Sequence, residues 1–389
     1  MLSIFLLLTT LLTASTLTVA QYVLRINCGR NCVNVSVIDS TAKLAAPMKH
    51  MVQPPIKGHD TLECPSFSFL IQHPTGRRPL FDLGTRKDWR KFPPSVRGLL
   101  EQYSFGIEVD KNVNEILEDH GIDVAGGAFE AIIWSHWRYD HIGDVSAFPS
   151  STALVVGPGF VETFTPGYPS RADAFVLESD YEGRHLHELS FDSDSQLIIG
   201  GYRAEHYFGD GSFYFLDTPG HAIGHVCGLA RVAPDTTEEN STFVFMGGDA
   251  CHHGGEFRPS QYLPLPKAIS FPKSRGISTT CLGEFLVELH RRDSAVTPFY
   301  EMAESAVHDR AEARQAISNM QAFDADSNVS VVISHDATLF EMGMNVFPDT
   351  LNAWKQEDYA RRGRWIFLSD FCSSPRLLAG KPRRLTCHM

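Results

Sequence analysis

Histidine and aspartate residues follow an apolar segment of the sequence at the point where the segment ends. Residues 131–134 are Ala-Ile-Ile-Trp, and the next seven residues are Ser-His-Trp-Arg-Tyr-Asp-His, which contain His136, Asp140 and His141. Strands end in loops, and loops are where binding residues usually gather. Imidazole and carboxylate groups are the usual ligands of zinc and similar divalent ions. The spacing therefore predicts a metal site after this segment.

Three later apolar segments repeat the arrangement. One precedes Asp-Thr-Pro-Gly-His and delivers His221, the next precedes Gly-Gly-Asp and delivers Asp249, and the last precedes Ser-His and delivers His335. A single histidine after a strand is more often a packed core or surface residue than a ligand. Four strands that each deliver an imidazole or a carboxylate are hard to obtain by chance, so together they favour one joint site.

The elements that must position these residues alternate between short apolar runs and helical stretches. The periodicity predicts strands at 66–71, 79–83, 131–134, 153–156, 195–199, 213–216, 226–230, 243–246 and 329–333. It predicts helices at 112–120, 279–290, 300–322 and 350–362. Two clusters of strands, each with helices, indicate a layered α/β domain with two sheets inside and helices outside. We expect one such domain from residue 34 to 371, followed by a tail at 372–389.

Composition narrows the class of partner. The chain has 389 residues and a formal net charge of −12, and it contains no run rich in Lys or Arg. Such a chain repels a phosphate backbone on average, so a nucleic-acid partner is not expected. After residue 20, no segment reaches the ~18 apolar residues of a membrane helix. We therefore expect a small-molecule substrate and no membrane contact, while the sequence leaves the oligomeric state open.

The first twenty residues differ from the rest. Residues 2–20 carry no charge, are largely apolar or hydroxylic, and end in Thr-Val-Ala before Gln21. Small residues before the cut and a short apolar core predict a secretory signal peptide at 1–20, and hence a secreted protein. The alternatives are a signal anchor, or an upstream extension that is not translated; without a true signal the protein would be cytoplasmic.

These residues resemble the metallo-β-lactamase superfamily, whose motif is His-x-His-x-Asp-His, followed by Pro-Gly-His, Gly-Asp and a late histidine. The phrases Ser-His-Trp, Ile-Gly-Asp, Gly-His-Ala-Ile-Gly-His and Gly-Gly-Asp-Ala-Cys-His-His-Gly-Gly-Glu-Phe-Arg-Pro resemble a fungal lactonase- and thioesterase-like branch. Phe-Asp-Leu-Gly, with Asp82, matches the family's second-strand motif. The resemblance runs in order from residue 34 to 371 and implies an αββα sandwich of two mixed sheets flanked by helices.

The resemblance also implies a ligand set. In the family, one metal takes the first two motif histidines and the Pro-Gly-His residue, and the other takes the motif aspartate, the final motif histidine and the late histidine. Carried over by position, the first site is His136, Arg138 and His221. The second site is Asp140, His141 and His335, and Asp249 bridges the two sites. Asp82 is expected to support a ligand histidine, and His225 to cap the turn after His221.

Arg138 departs from the family pattern. A guanidinium has five donors and no acceptor and stays protonated, so it cannot bind a cation. Three interpretations follow. A single ion occupies the second site and Arg138 stands where the first metal's charge would help; or two ions bind and Arg138 turns away to pair with a carboxylate; or the site binds metal poorly and the protein is inactive. The ligand count favours the first, with one Zn²⁺ rather than two.

The expected chemistry is hydrolysis of an ester or lactone carbonyl by a hydroxide held on the metal. We place Asp140, Asp249, Arg138 and His252 in the catalytic centre. Asp249 would orient the water and take its proton, and Arg138 would bind the developing oxyanion or a substrate carboxylate. His252 is either an acid for the leaving group or a residue that fixes the loop. His253, Arg258 and the loop 158–171 are candidates for the pocket wall.

Two other functions stay open at this stage. One is a thioesterase that releases a polyketide product, which would require an intracellular protein. The other belongs to a different class, a metal-poor pseudoenzyme or binding protein that kept the fold and lost the chemistry at position 138.

Overall fold

The computed structural model describes residues 31–192, 197–234, 241–271, 280–290 and 292–372. The predicted signal peptide at 1–20 and almost all of the predicted tail lie outside these ranges. In the part of the chain that is described, no helix combines the length and the apolar character needed to cross a membrane.

The strands lie between residues 34 and 332. They are β1 Asn34–Asp39, β2 Ala42–Pro47, β3 Val52–Gln53, β4 Thr61–Cys64, β5 Phe67–Gln72, β6 Pro79–Phe81, β7 Gly106–Val109, β8 Ala131–Ile133, β9 Ala153–Val156, β10 Leu186–Glu188, β11 Leu197–Ile199, β12 Tyr202–His206, β13 Phe213–Asp217, β14 Val226–Ala233, β15 Thr242–Met246, β16 Ala268–Ser270, β17 Thr280–Leu282, β18 Glu301–Met302 and β19 Val329–Val332. The α-helices are α1 Pro94–Gln102, α2 Val113–Asp119, α3 Tyr139–Ile142, α4 Phe160–Phe164, α5 Gly283–Leu289, α6 Arg310–Ala325, α7 Thr338–Glu341, α8 Tyr359–Gly363 and α9 Ser369–Cys372.

Two six-stranded sheets form the centre of the fold. The first has the order β1-β5-β6-β8-β9-β10, and the second has the order β11-β12-β13-β14-β15-β19. In the first sheet β6, β8, β9 and β10 run parallel, and in the second β15 and β19 run parallel. The other pairings in these sheets are antiparallel, so both sheets are mixed.

The buried side chains define the layers. Val35, Phe69 and Ile133 of the first sheet share one core with Phe213 and Val244 of the second. Alternate side chains of a strand point to opposite faces, so the remaining apolar residues face outward and need cover. Helices α1 and α2 cover the outer face of the first sheet, and α6 covers the outer face of the second. The predicted αββα sandwich is confirmed.

Helix α2 shows why some elements could be predicted from local sequence. The prediction at 112–120 is confirmed, because Asn112 and Glu115 form a capping box at the helix start. The backbone N–H of Asn112 donates to the Glu115 carboxylate at 2.8 Å.

Three other predicted helices are wrong in extent. The prediction at 300–322 joins β18 and a 3₁₀ turn at Glu304–Ala306 to α6, which begins only at Arg310. The Asp309 side chain caps α6, accepting from the N–H groups of Ala311 and Glu312 at 2.8 and 2.9 Å, and so sets its start.

The prediction at 350–362 is a helix only over α8, because Asn352 makes contacts that a regular helix would not provide. Its side chain accepts from the N–H of Val35 and donates to the carbonyl oxygens of Val33 and Val232, at 2.9–3.0 Å. The prediction at 279–290 splits into β17 and α5, and residue 279 lies outside the described residues.

Candidate metal centre

Four strand ends place the predicted ligands side by side. His136, Asp140 and His141 follow β8, and Asp249 follows β15. The other two follow β13 and β19, and they are His221 and His335. All six side chains are buried, with at most 7 % of any residue exposed. They form two groups that can each hold a metal ion, and Asp249 belongs to both groups.

The second group contains Asp140, His141, His335 and Asp249. Asp249 Oδ1 lies 3.1 Å from His141 Nε2 and 3.0 Å from His335 Nε2. Asp140 Oδ2 lies 3.4 Å from His335 Nε2, and Asp140 Oδ1 lies 3.9 Å from His141 Nε2. Two imidazoles and two carboxylates therefore surround one point.

The first group contains His136, His221 and the other oxygen of Asp249. The Nε2 atoms of His136 and His221 are 3.2 Å apart. Asp249 Oδ2 lies 3.4 Å from His221 Nε2 and 3.8 Å from His136 Nε2. Asp249 thus directs one oxygen to each group, as the bridging position requires.

Hydrogen bonds on the far side of the second-group histidines show which ring nitrogen is free to bind a cation. His141 Nδ1 donates to Asp82 Oδ2 at 2.8 Å, and His335 Nδ1 donates to the carbonyl oxygen of Pro65 at 2.7 Å. Both acceptors lack a proton, so the neutral rings carry their lone pairs on Nε2. Those lone pairs face the oxygen of Asp249 at about 3 Å.

This arrangement fits a bound cation. Lone pairs and a carboxylate oxygen repel one another unless a proton or a metal ion lies between them. In the described part of the chain, the buried atoms His141 Nε2 and Asp249 Oδ1 make no hydrogen bond. Burial by itself would lower the pKa of His141, but Asp249, Asp82 and Asp140 raise it to about 10, so these carboxylates favour a positive charge at this position, either a proton on Nε2 or a metal ion.

Asp82 lies behind the predicted ligand His141 and binds its ring. It follows β6 and adopts a left-handed backbone with φ 58°, a strained conformation for aspartate. Its carboxylate accepts the N–H of Ser135 at 2.6 Å and the Ser135 hydroxyl at 2.8 Å, besides the bond from His141. The carboxylate therefore fixes the strand end that carries His136 as well as the ring of His141.

His225 has a larger role than the turn cap predicted for it. Its Nε2 accepts the backbone N–H of Asp249 at 3.0 Å, and its Nδ1 lies 2.8 Å from Thr218 Oγ1. Burial lowers the pKa of His225 to about 4, so the ring stays neutral and keeps the lone pair that Asp249 needs. His225 thus positions the bridging ligand, a role that the repeated Gly-His spacing did not reveal.

Arg138 binds backbone oxygens. Its Nη2 donates to the carbonyl oxygens of His221 at 3.3 Å and Ala306 at 3.1 Å. No carboxylate of the described residues lies within 4.0 Å of the guanidinium, so the expected pairing of a turned-away Arg138 with a carboxylate is not found there. Burial first, and then the charge of Arg138, hold the pKa of His221 well below its usual value.

His252 lies beside both groups. Its Nε2 is 3.5 Å from Asp249 Oδ2, and its ring packs on His221 and stacks on His335, with centroids 4.9 and 6.1 Å apart. Glu256, which the sequence analysis missed, accepts the backbone N–H of His252 at 2.5 Å and lies 3.8 Å from its Nδ1. A carboxylate behind the ring suits both the acid role and the loop-fixing role.

A third histidine group lies among aromatic side chains. His59, His253 and Asp370 are close enough to share a cation. However, His253 Nδ1 accepts the N–H of Gly255 at 3.0 Å, so its Nε2 carries the proton and donates to Asp370 Oδ2 at 3.3 Å. Since that nitrogen has no free lone pair, we interpret this group as a hydrogen-bonded pair beside His59.

A cavity of about 230 Å³ opens onto the metal residues. Its floor contains Asp140, Asp249, His252 and His335. Its walls are mostly apolar and come from β2, β4, α1 and the segments beside them, with Leu44, Ala46, Leu62, Val96, Leu99, Leu100, Tyr103, Phe105, Trp137 and Phe175.

The predicted pocket wall is therefore wrong. His253 bonds to Asp370, and Arg258 forms a buried ion pair with Asp324 at 2.6 Å. In the loop 158–171, Phe160 and Phe164 are buried in the core under the first sheet. Apolar side chains of strands and helices form the cavity wall instead. In the sequence, such side chains look the same whether they line a cavity or pack in the core.

Comparison with known proteins identifies the family of the chain. No protein-family model matches the chain. A metallo-hydrolase of Annulohypoxylon moriforme is 41 % identical over 342 residues, which cover 87 % of each chain. The chain belongs to the metallo-β-lactamase superfamily of metal-dependent hydrolases. A γ-lactamase of Fusarium pseudograminearum is 38 % identical to this hydrolase over 351 residues, covering 88 % of this chain and 83 % of the γ-lactamase.

Solved structures share the fold of the hydrolase. A quorum-quenching N-acyl homoserine lactone hydrolase superposes with a TM-score of 0.51 at 15 % identity, covering 83 % of this chain and 99 % of the other. At that identity the similarity concerns the fold alone.

Proposed function

We propose that this hydrolase opens a lactone or a related ester with the help of zinc held by Asp140, His141, His335 and Asp249. One observation carries the proposal: the Nε2 lone pairs of His141 and His335 converge on Asp249 Oδ1 at 3.0–3.1 Å, with their Nδ1 atoms fixed by Asp82 and Pro65. Imidazole and carboxylate donors in this number suit zinc.

Zinc, when bound, supplies Lewis acidity that activates water and polarises a carbonyl group. The protein residues contribute orientation and proton transfer. Asp249 lies between both groups, and its carboxylate can orient a water and accept its proton. His252 Nε2, 3.5 Å from Asp249 Oδ2, is placed to pass a proton to the leaving group. The apolar cavity walls would bury the apolar part of a substrate beside these residues.

We propose that one zinc binds tightly and that the first group has the lower affinity. Burial lowers the pKa of both His136 and His221, and the positive charge of Arg138 lowers them further. In the second group, carboxylates raise the pKa of His141 and His335 against the effect of burial. The second group also offers four ligand residues against three in the first, so we propose that it is the stronger site.

Lactam hydrolysis is a second candidate. A relative with 38 % identity across most of both chains is named a γ-lactamase. A cyclic amide and a cyclic ester present the same carbonyl to the metal residues, and they differ in the leaving atom. The amide nitrogen needs a proton before it leaves, which gives the acid role of His252 more weight.

The predicted signal peptide at 1–20 supports secretion as part of the proposal. In the native host, the mature protein would begin at Gln21, and N-terminal sequencing of protein from the culture medium tests this. Retention of the protein inside the cell would favour the polyketide thioesterase over the secreted lactone hydrolase.

The test of the function combines metal analysis with a substrate panel. The purified hydrolase would be assayed with a γ-lactone, an aryl ester, a thioester and a γ-lactam, and its zinc content measured by mass spectrometry. We expect turnover of the lactone or ester, one zinc per chain, and loss of both in Asp249→Asn. Asp370→Asn, in the third histidine group, is the matched control and should keep both. A zinc-loaded protein inactive on the whole panel would refute the proposed function.

A further inference from the structure

Arg138 makes no direct ion pair with a carboxylate of the described residues, and the charges of Asp249 and Asp140 act on its guanidinium from farther away. Nη2 is satisfied by the carbonyl oxygens of His221 and Ala306. Carbonyl oxygens orient a guanidinium but do not neutralise it, and a half-buried charge such as that of Arg138 is stabilised by a paired anion. No carboxylate in the described ranges comes within 4.0 Å of Arg138, which stands among the cavity-lining residues.

The remaining donors of Arg138 are available to a ligand. Within the part of the chain that the structure describes, Nε and Nη1 make no hydrogen bond, and neither is sealed from the cavity. Among the described residues that line the cavity, Arg138 is also the one Arg or Lys. The two carboxylates there, Asp140 and Asp249, belong to the metal groups.

The rest of the cavity has the opposite character. Its walls from β2, β4 and α1 are aliphatic, and Tyr103, Phe105, Trp137 and Phe175 add aromatic surface. A ligand that fills this space buries an apolar body, because a polar body would lose its hydrogen bonds to water there. The guanidinium lies at the end of the cavity where the metal residues are.

We infer that the substrate is amphiphilic, with an apolar body for the cavity and a carboxylate or similar anionic group that Arg138 binds close to the scissile carbonyl. This inference rests on the proposed hydrolysis at the same site. A guanidinium matches a carboxylate because its parallel N–H donors fit both carboxylate oxygens. Recognition of the anion then supplies the direct ion pair that Arg138 does not make with the described residues.

The experiment uses two aryl-substituted lactones that differ in one group, a carboxylate in one and the uncharged carboxamide in the other. Kinetic constants would be measured for both with the native hydrolase, Arg138→Gln and Leu99→Ala. We expect the native protein to prefer the carboxylate through a lower KM, and Arg138→Gln to lose about 10- to 100-fold of that preference. Any change in metal content affects the turnover of both substrates. The ratio of their kcat/KM values therefore reports only the contribution of the anionic group. Leu99→Ala should weaken the binding of both lactones to the same extent.

Two outcomes would overturn the inference. The first is an unchanged preference in Arg138→Gln. The second is an equal fall in kcat for both lactones, which would assign Arg138 to the developing oxyanion. If neither lactone is turned over, the proposed function fails at that point. Calorimetric binding of the matched carboxylate and carboxamide still decides the inference, because equal affinity for the two would refute it.

Discussion

Arg138 donates from Nη2 to the backbone carbonyl oxygen of His221, 3.3 Å away. Arg138 therefore holds the loop of a neighbouring predicted ligand in place. A second bond, to Ala306, ties the same guanidinium to the segment before α6. Because two hydrogen bonds fix the position of the guanidinium, its positive charge stays close to the first group of predicted ligands.

Replacing Arg138 by histidine should raise the metal content. Arg138→His supplies the missing imidazole and removes the positive charge, so we expect about one zinc per chain in the native protein and about two in the variant. Mass spectrometry after removal of loose metal measures this. Arg138→Gln removes the charge without adding a ligand, so its zinc content should stay closer to one per chain. Two tightly bound zinc ions in the native protein would refute the single-site interpretation.

The Asp82→Asn variant should bind zinc more weakly. Asp82 accepts from His141 Nδ1 and from Ser135, and removal of such a carboxylate lowers metal affinity by about 10- to 100-fold. Competition with a coloured chelator measures the affinity. Asp370→Asn removes a carboxylate from His253, which lies outside the two metal groups, and should leave the affinity unchanged. An equal loss in both variants would mean that Asp82 acts through general stability.

Gly248→Ala should damage the loop that presents Asp249. A Cβ atom at 248 would lie 2.9 Å from His225 Nε2 and 3.0 Å from Ser135 Cβ, on a backbone with φ +49°. We expect a loss of about 1–3 kcal/mol in unfolding free energy, together with weaker zinc binding. Gly76→Ala is the control, because Gly76 also has a positive φ but no atom within 4 Å of the added Cβ. Equal effects of the two substitutions would show that crowding at 248 is unimportant.

Asp180 should make stability depend on pH. Burial raises the pKa of Asp180 to about 7, against the lowering effect of Arg86. The unfolded pKa is about 3.9, so the folded protein holds a proton that the unfolded chain has lost, and stability falls as pH rises from about 4 to about 7. The slope is at most about 1.4 kcal/mol per pH unit.

Urea unfolding at pH 5 and pH 8 tests this. Asp180→Asn has no proton to lose, so its stability relative to the native protein should increase by about 1–3 kcal/mol between these two pH values. Asp173→Asn changes a carboxylate that is 90 % exposed and should show no such trend. A constant difference between native and Asp180→Asn proteins would contradict the raised pKa.

Much of the candidate site could be predicted because ligand types and strand ends are local features. His136, Asp140 and His141 follow an apolar strand directly, and the two-sheet sandwich aligns the other strand ends with it. Capped helices such as α2 were equally readable, since Asn112 and Glu115 are three residues apart. Helix limits near Asn352 were not, because its partners lie more than a hundred residues away.

The sequence by itself determined the superfamily resemblance, the order of the predicted ligands and the anomaly at Arg138, because each of these is a matter of residue type and spacing. Only the tertiary structure decided that Arg138 binds carbonyl oxygens, that His225 holds Asp249, and that β2, β4 and α1 form the cavity wall. Those outcomes depend on which distant backbone groups and apolar faces come into contact when the two sheets pack. A local sequence pattern does not specify such long-range contacts.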